Sequence, residues 1–172
     1  MEPVNEQLKS ERILDELKAL KRTKEIIDVE EERVKVVIFK CGVKLYAFYG
    51  KDVREILPSS EISWVPSLPA YLPGLINVRG DIESVVDIRH FLGEEMADHG
   101  KHLIVMAVRG DFHAGVMIDS IEDVIDILLS TIHPPLATLS GAVRDLVAGE
   151  IEYGGDTVSL LDIGKLEPLI TL

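Results

Sequence analysis

The stretch Gly74-Leu75-Ile76-Asn77-Val78-Arg79-Gly80-Asp81-Ile82-Glu83-Ser84-Val85-Val86-Asp87-Ile88 reads as a tight β-hairpin. Leu75 to Val78 and Ile82 to Ile88 are rich in β-branched and apolar residues, and Arg79-Gly80-Asp81 between them supplies a turn in which Gly80 takes φ > 0 at no steric cost. The hairpin is written twice. Gly149 to Ile163 lies over it without a gap 75 positions on, with Gly74 on Gly149, Gly80 on Gly155, Asp81 on Asp156, Ser84 on Ser159 and Asp87 on Asp162. An upstream block repeats as well: Val36-Val37-Ile38-Phe39-Lys40-Cys41-Gly42 falls on Ile104 to Gly110 at a shift of 68. Two blocks in the same order at nearly the same shift predict a duplicated β unit, about 34–93 and about 102–168.

Working outward, residues 4 to about 32 contain no glycine and are crowded with Glu, Lys, Leu and Ile, which predicts a helix in a 1–33 extension. Ile13, Leu17, Leu20 and Ile27 form one apolar stripe, which Lys24 interrupts. A helix with such a stripe docks on its own domain or sits half-ordered, or else makes a short coiled coil or a second partner site. From Val34 the period shortens. Val36 to Phe39 and Val43 to Tyr49 read as strands and Val53 to Leu57 as a short strand or turn, followed by a stiff crossing that holds Pro66, Pro69 and Pro73 with Trp64 and Tyr71. A helical turn is expected at His90 to Gly93. The second unit repeats with strands at Leu103 to Val108, Ala114 to Ile118 and Ile121 to Leu128, a short helix within Ala137 to Val147, and a tail from Lys165 that pairs as an edge strand or caps a barrel. The fold class is mainly β: two five-stranded barrels, one per unit, after an N-terminal helix.

A net charge of −12 argues against nucleic acid, whose phosphates need Lys and Arg, and against an anionic membrane surface. No apolar run reaches membrane-span length and the charged N-terminus lacks a secretion signal, so the expected place is the cytoplasm, with no membrane insertion. Cys41 is the only cysteine. It has no obvious His partner, and no His or Cys pair has metal-ligand spacing, so neither a thiol nucleophile nor a metal or other cofactor is expected. Asp81, Asp87, Asp156 and Asp162 are acid/base candidates by type. Their recurrence with the hairpins instead fits turn and strand-end hydrogen bonding. A hydrolase using them needs a deep cleft that also holds a His. Trp64 is an interface anchor or a barrel-mouth plug. Arg79, at a rigid turn with only Asp81 as a local acid, is a solvated charge or an interface residue.

The string Gly74-x-x-Asn77-Val78-Arg79-Gly80 followed by Val85-Val86-Asp87-Ile88-Arg89 resembles the signature of the CheW family of chemotaxis coupling proteins. Phe39 to Phe48, Val53-Arg54-Glu55-Ile56 and Gly115-Val116-Met117-Ile118-Asp119 fit in the same order, so the resemblance covers a CheW-like domain at 34–168. It implies SH3-like barrels and a scaffold with no catalytic residues. It implies as partners the cytoplasmic tip of a chemoreceptor and the regulatory domain of a CheA-type histidine kinase, in a membrane-associated array. It carries Arg79, Val53, Glu55 and, more weakly, Arg89 onto partner-binding surfaces. An apolar groove between the barrels is expected to take the receptor's helical hairpin. Two departures stand out: Ser84 where the family usually has Pro, and the N-terminal helix. The helix leaves open a module of a non-chemotaxis signalling pathway, such as surface motility, recruited through it.

Overall fold

The computed structural model describes residues 4–27, 31–95 and 101–170. It separates into two units, Met1–Glu32 and Arg33–Leu172. The first is helix α1 (Val4–Ile27), where the sequence places it. Ile13, Leu17 and Leu20 of its stripe are exposed. The side chain of Ile27 lies outside the described residues.

Among its described residues the second unit holds eleven strands. They are β1 (Arg33–Cys41), β2 (Lys44–Tyr49), β3 (Val53–Pro58), β4 (Ile62–Trp64), β5 (Gly74–Val78), β6 (Asp81–Asp87), β7 (Leu103–Arg109), β8 (Phe112–Ile118), β9 (Ser120–Leu128), β10 (Val147–Tyr153) and β11 (Asp156–Leu161). Short helices follow β6, precede β10 and end the chain: α2 (Arg89–Leu92), α3 (Gly141–Leu146) and α4 (Glu167–Ile170). The turn at His90 and the helix before Val147 were legible. Over its described residues the tail is not a strand: it turns at Ile163–Lys165 and forms α4, with Leu166, Leu169 and Ile170 packed on the central cluster.

The strands form two curled sheets, two SH3-like barrels. The first has the order β10-β11-β2-β1-β9 and the second β3-β7-β8-β6-β5-β4. Neither barrel coincides with a sequence unit, which corrects the assignment of one barrel to 34–93 and the other to 102–168. Each unit gives its first hairpin to the other's barrel: β1 and β2 join β9 to β11, while β7 and β8 join β3 to β6. The links carry the chain onward. The single 3-10 turn Gly50–Asp52 leads from β2 to β3, and Asp119 alone leads from β8 to β9. Neither takes the hairpin form of the two-residue turn between β5 and β6, so β3 pairs with β7 and β9 with β1, each in the neighbouring barrel. There β6 pairs with β8, and β11 with β2, as parallel strands.

Within that exchange the two barrels match strand for strand. β3 bends through a turn at Ser59–Glu61 into β4, which pairs with β5. β9 bends likewise at Leu129–Thr131, and His133 exchanges two backbone hydrogen bonds of 2.8 Å with Glu150 of β10. At these closures the crossing strand passes over a glycine. A Cβ on Gly149 would stand 2.7 Å from the His133 carbonyl oxygen, and one on Gly74 would strike the Ser63 carbonyl.

Each barrel encloses a small apolar cluster: Val36, Ile38, Ala47, Ile151, Val158 and Leu160 in the first, Ile62, Ile76, Val85, Ile104, Met106 and Met117 among others in the second. The largest cluster joins both barrels, with Phe39 and Phe48 meeting Val105 and Val116. β1 and β7 are therefore buried on two faces, which is why they read as continuous apolar runs.

Candidate functional site

The β5–β6 hairpin presents Arg79. Val78 pairs with Asp81, leaving Arg79 and Gly80 as a two-residue turn. Both have left-handed φ, 55° and 102°. Twisted strands need that hand in so short a loop. Asn77 Oδ1 accepts a hydrogen bond from Gly80 N at 2.9 Å, fixing the turn from its own first strand. The equivalent turn of the first barrel is Gly154-Gly155, at φ 58° and 89°. Where one copy has the residue best suited to the conformation, the other carries an arginine.

The Arg79 side chain is 76% exposed and its Nη2 lies 3.3 Å from Glu55 Oε2 on β3. Its acidic neighbour is thus Glu55, 24 positions away in the chain, and not Asp81. The other oxygen of Glu55, Oε1, is buried with no hydrogen-bond partner among the described residues. Val53, two residues earlier, is half-buried against the central cluster. The structure therefore brings Arg79 and Glu55 together and seats Val53 beneath the surface of the same strand. Around them lie exposed apolar residues that the sequence reading did not single out: Ile56 on β3, Ile82 just past the turn, and Leu75 diagonal to Ile82 on the outer face. Their signal was present as apolar residues at outward positions of period-2 strands. Trp64 is 67% exposed at the end of β4, so it does not plug the barrel.

Arg89 does not belong to this surface. It is 1% exposed. Its Nε and Nη2 donate to the two oxygens of Asp87, each at 2.8 Å, and Nη1 lies 3.5 Å from Asp119. That bidentate bond, the first cause, and the nearby carboxylates outweigh burial and raise the guanidinium's pKa further. Its expected role in partner contact is corrected to an internal one. Asp119 also accepts from Gly42 N at 2.6 Å and lies 3.2 Å from His102 Nδ1. The other crossing link is pinned in mirror fashion, Asp52 to Arg109 at 2.7 Å. Each crossing carboxylate holds the turn of the other unit's first hairpin.

Two of the four repeated aspartates, Asp87 and Asp162, make the strand-end hydrogen bonds that the repetition suggested. Asp87 accepts from Arg89 N and Asp162 from Gly164 N, the same two-residue reach in both copies. Asp87 is buried, not set on a convex surface, and both its oxygens are taken by Arg89. Asp81 and Asp156 stand at the ends of the two hairpin turns, opposite Val78 and Tyr153. Cys41 is fully buried. Burial, helped by Asp119, pushes its thiol up to about 12. No group of three His, Cys, Asp or Glu suited to a metal occurs among the described residues, and no helix among them is long and apolar enough to cross a membrane. The interior between the barrels is occupied by the central cluster, to which β1, β2, β7 and β8 all contribute. A surface depression lies where β2, β10 and β11 of the first barrel meet Leu92 of α2 and Val143 of α3.

A family model described as CheW-like domain matches residues 35–168. The "Chemotaxis protein CheW" of Treponema pallidum is 27% identical over 144 residues, covering 80% of this chain and 84% of that protein. "Protein FrzA" of Myxococcus xanthus is 26% identical over 131 residues, 74% of this chain and 81% of that one. Among solved structures, the scaffolding protein TtCheW of Thermoanaerobacter tengcongensis superposes with a TM-score of 0.70 at 25% identity, covering 77% of this chain and 90% of that one. A hairpin of this sequence, paired barrels of this order and a match over nearly all of the second unit lead to one assignment: the chain belongs to the CheW family, whose members are non-enzymatic scaffold proteins.

Proposed function

We propose that this protein is a cytoplasmic adaptor that couples the tip of a chemoreceptor to a CheA-type histidine kinase, with Arg79, Glu55 and Val53 on its partner-binding surface. The observation that carries the reading is Arg79 itself. It is kept at a left-handed backbone position that the twin turn fills with glycine, and most of its side chain is exposed. Backbone strain retained in one of two equivalent turns is better explained by what the side chain meets than by the fold. The guanidinium offers donors beyond the one spent on Glu55, enough for a forked bond to a partner's carboxylate. Ile56, Leu75 and Ile82 add apolar area beside that charge, the mixture common in interface cores. The relatives named for chemotaxis and for scaffolding support the same reading.

Titrating a receptor cytoplasmic fragment and the kinase regulatory domain against Arg79→Glu tests it. Affinity for at least one of them falls by about tenfold or more while the melting temperature stays within a degree or two. Unchanged affinity for both sinks the assignment of Arg79.

A second reading has its own support. One relative, Protein FrzA, is not named for chemotaxis, and α1 lies outside the family match at 35–168. In that reading α1 recruits the module to another signalling output. Pull-downs with and without residues 1–32 separate the two: an identical partner set removes the helix as recruiter.

A further inference from the structure

Glu150 breaks a local rule. It lies on the outer face of β10, beside the inward Ile151, and is only 3% exposed. Its two carboxylate oxygens share one neutral donor, Ser159 Oγ, at 3.2 and 3.0 Å. No cation among the described residues pairs with it. A buried carboxylate is costly without a positive partner.

The fold does not require an acid there. In the second barrel the equivalent residue is Leu75, paired with Ser84 just as Glu150 pairs with Ser159. Same strand, same register and same face accept an aliphatic side chain. The carboxylate is a departure in one copy only.

What surrounds it is concave. A depression of ≈ 550 Å³ is lined by Glu150 and Ser159 together with Tyr46 of β2 and Ser140 before α3. That is within the usual range for small-molecule sites, roughly 300–1,000 Å³. Ser159 spends its one proton on Glu150, and Tyr46 Oη spends its own on Glu94 Oε1 at 2.9 Å. Both oxygens are left as acceptors. Leu92, Leu139 and Val143 supply apolar wall. Of the charged residues in the lining, Asp156 adds negative charge, and Lys44 is drawn to Glu94 at 3.0 Å. The lining holds no imidazole, and its two carboxylates belong to no group of three His, Cys, Asp or Glu suited to a divalent metal among the described residues. An ammonium head has three donors and no acceptor, the complement of this lining.

We propose that this depression binds a primary alkylammonium, its head on Glu150 and its hydrocarbon body along Leu139 and Val143. The test uses the full chain and three six-carbon probes, n-hexylammonium, 1-hexanol and hexanoate, by calorimetric titration or saturation-transfer NMR. Hexylammonium binds at least about tenfold more tightly than hexanol, and hexanoate does not bind. Glu150→Gln, with its circular dichroism intact, loses at least about tenfold in hexylammonium affinity. Glu150→Leu, the side chain used by the twin barrel, melts no lower than the native chain and also fails to bind. Equal binding of hexanol and hexylammonium overturns the proposal. So does hexylammonium affinity that survives Glu150→Gln, and so does a large drop in melting temperature for Glu150→Leu, which would make the carboxylate structural.

Discussion

At φ 55° the Cβ of Arg79 crowds its own carbonyl oxygen, which costs an L residue roughly 1–2 kcal/mol. Its 3.3 Å pair with Glu55 is largely exposed and returns at most about 1 kcal/mol. Replacing Arg79 by Gly, the twin's residue, relieves the crowding and loses the pair. Its unfolding free energy in urea is expected within about 1 kcal/mol of the native value. A loss above about 2 kcal/mol would make Arg79 a structural residue. Cys41 gives a second prediction at this scale. Its folded pKa is raised from 9.0 to about 12, so the unfolded thiol ionises first as pH climbs. Stability from this group is complete below pH 9 and is lost between pH 9 and about 12, with a limiting slope of about 1.4 kcal/mol per pH unit. Cys41→Ala flattens that part of the stability curve. In the native chain, iodoacetamide reacts with Cys41 only as fast as the protein opens.

At the scale of elements, the closures over glycine and the buried ion network carry the next expectations. Gly149→Ala places a methyl 2.6 Å from Ile132 Cγ2 and 2.7 Å from the His133 carbonyl oxygen. The backbone on one side cannot yield, so a loss of about 1–3 kcal/mol is expected in chemical unfolding. Gly80→Ala meets no atom within 4 Å, so any loss there comes from its φ of 102° alone. Arg89→Ala leaves Asp87 buried and unpaired, and costs about 3–5 kcal/mol. Most strands, the hairpins and helices α2 and α3 were legible because β-branched runs, glycine turns and prolines act locally, whereas the three-residue β4 and the short α4 were not. The burial of Arg89 was not. In the sequence an arginine just after a strand reads as a surface charge, and only its neighbour two residues back, Asp87, hinted at an internal pair. Glu150 was missed for a similar reason. Alternation puts it on the outer face, and outer faces read as solvated until something covers them. The Arg79–Glu55 pair joins different strands, so no local pattern announces it.

For the whole molecule, partner choice among strands is what the sequence leaves open. The duplication was readable from the recurrence of Gly74 at Gly149 and of Gly42 at Gly110. That β1 and β2 pair with β9 and β11, and not with β3 and β6, depends on the conformation of the links at Gly50–Asp52 and Asp119, which a repeat comparison cannot weigh. The shared central cluster then makes each barrel part of the other's support. Heating the 33–172 unit should give one transition, with equal calorimetric and van't Hoff enthalpies. Two separate transitions would contradict this interlocking. The same exchange also makes residues 96–100 a special place to cut. A chain nicked there holds two pieces, neither owning a complete barrel, that must trade hairpins like subunits of a swapped dimer. Its refolding would turn from first order to second order in protein, and dilution alone would keep the halves apart.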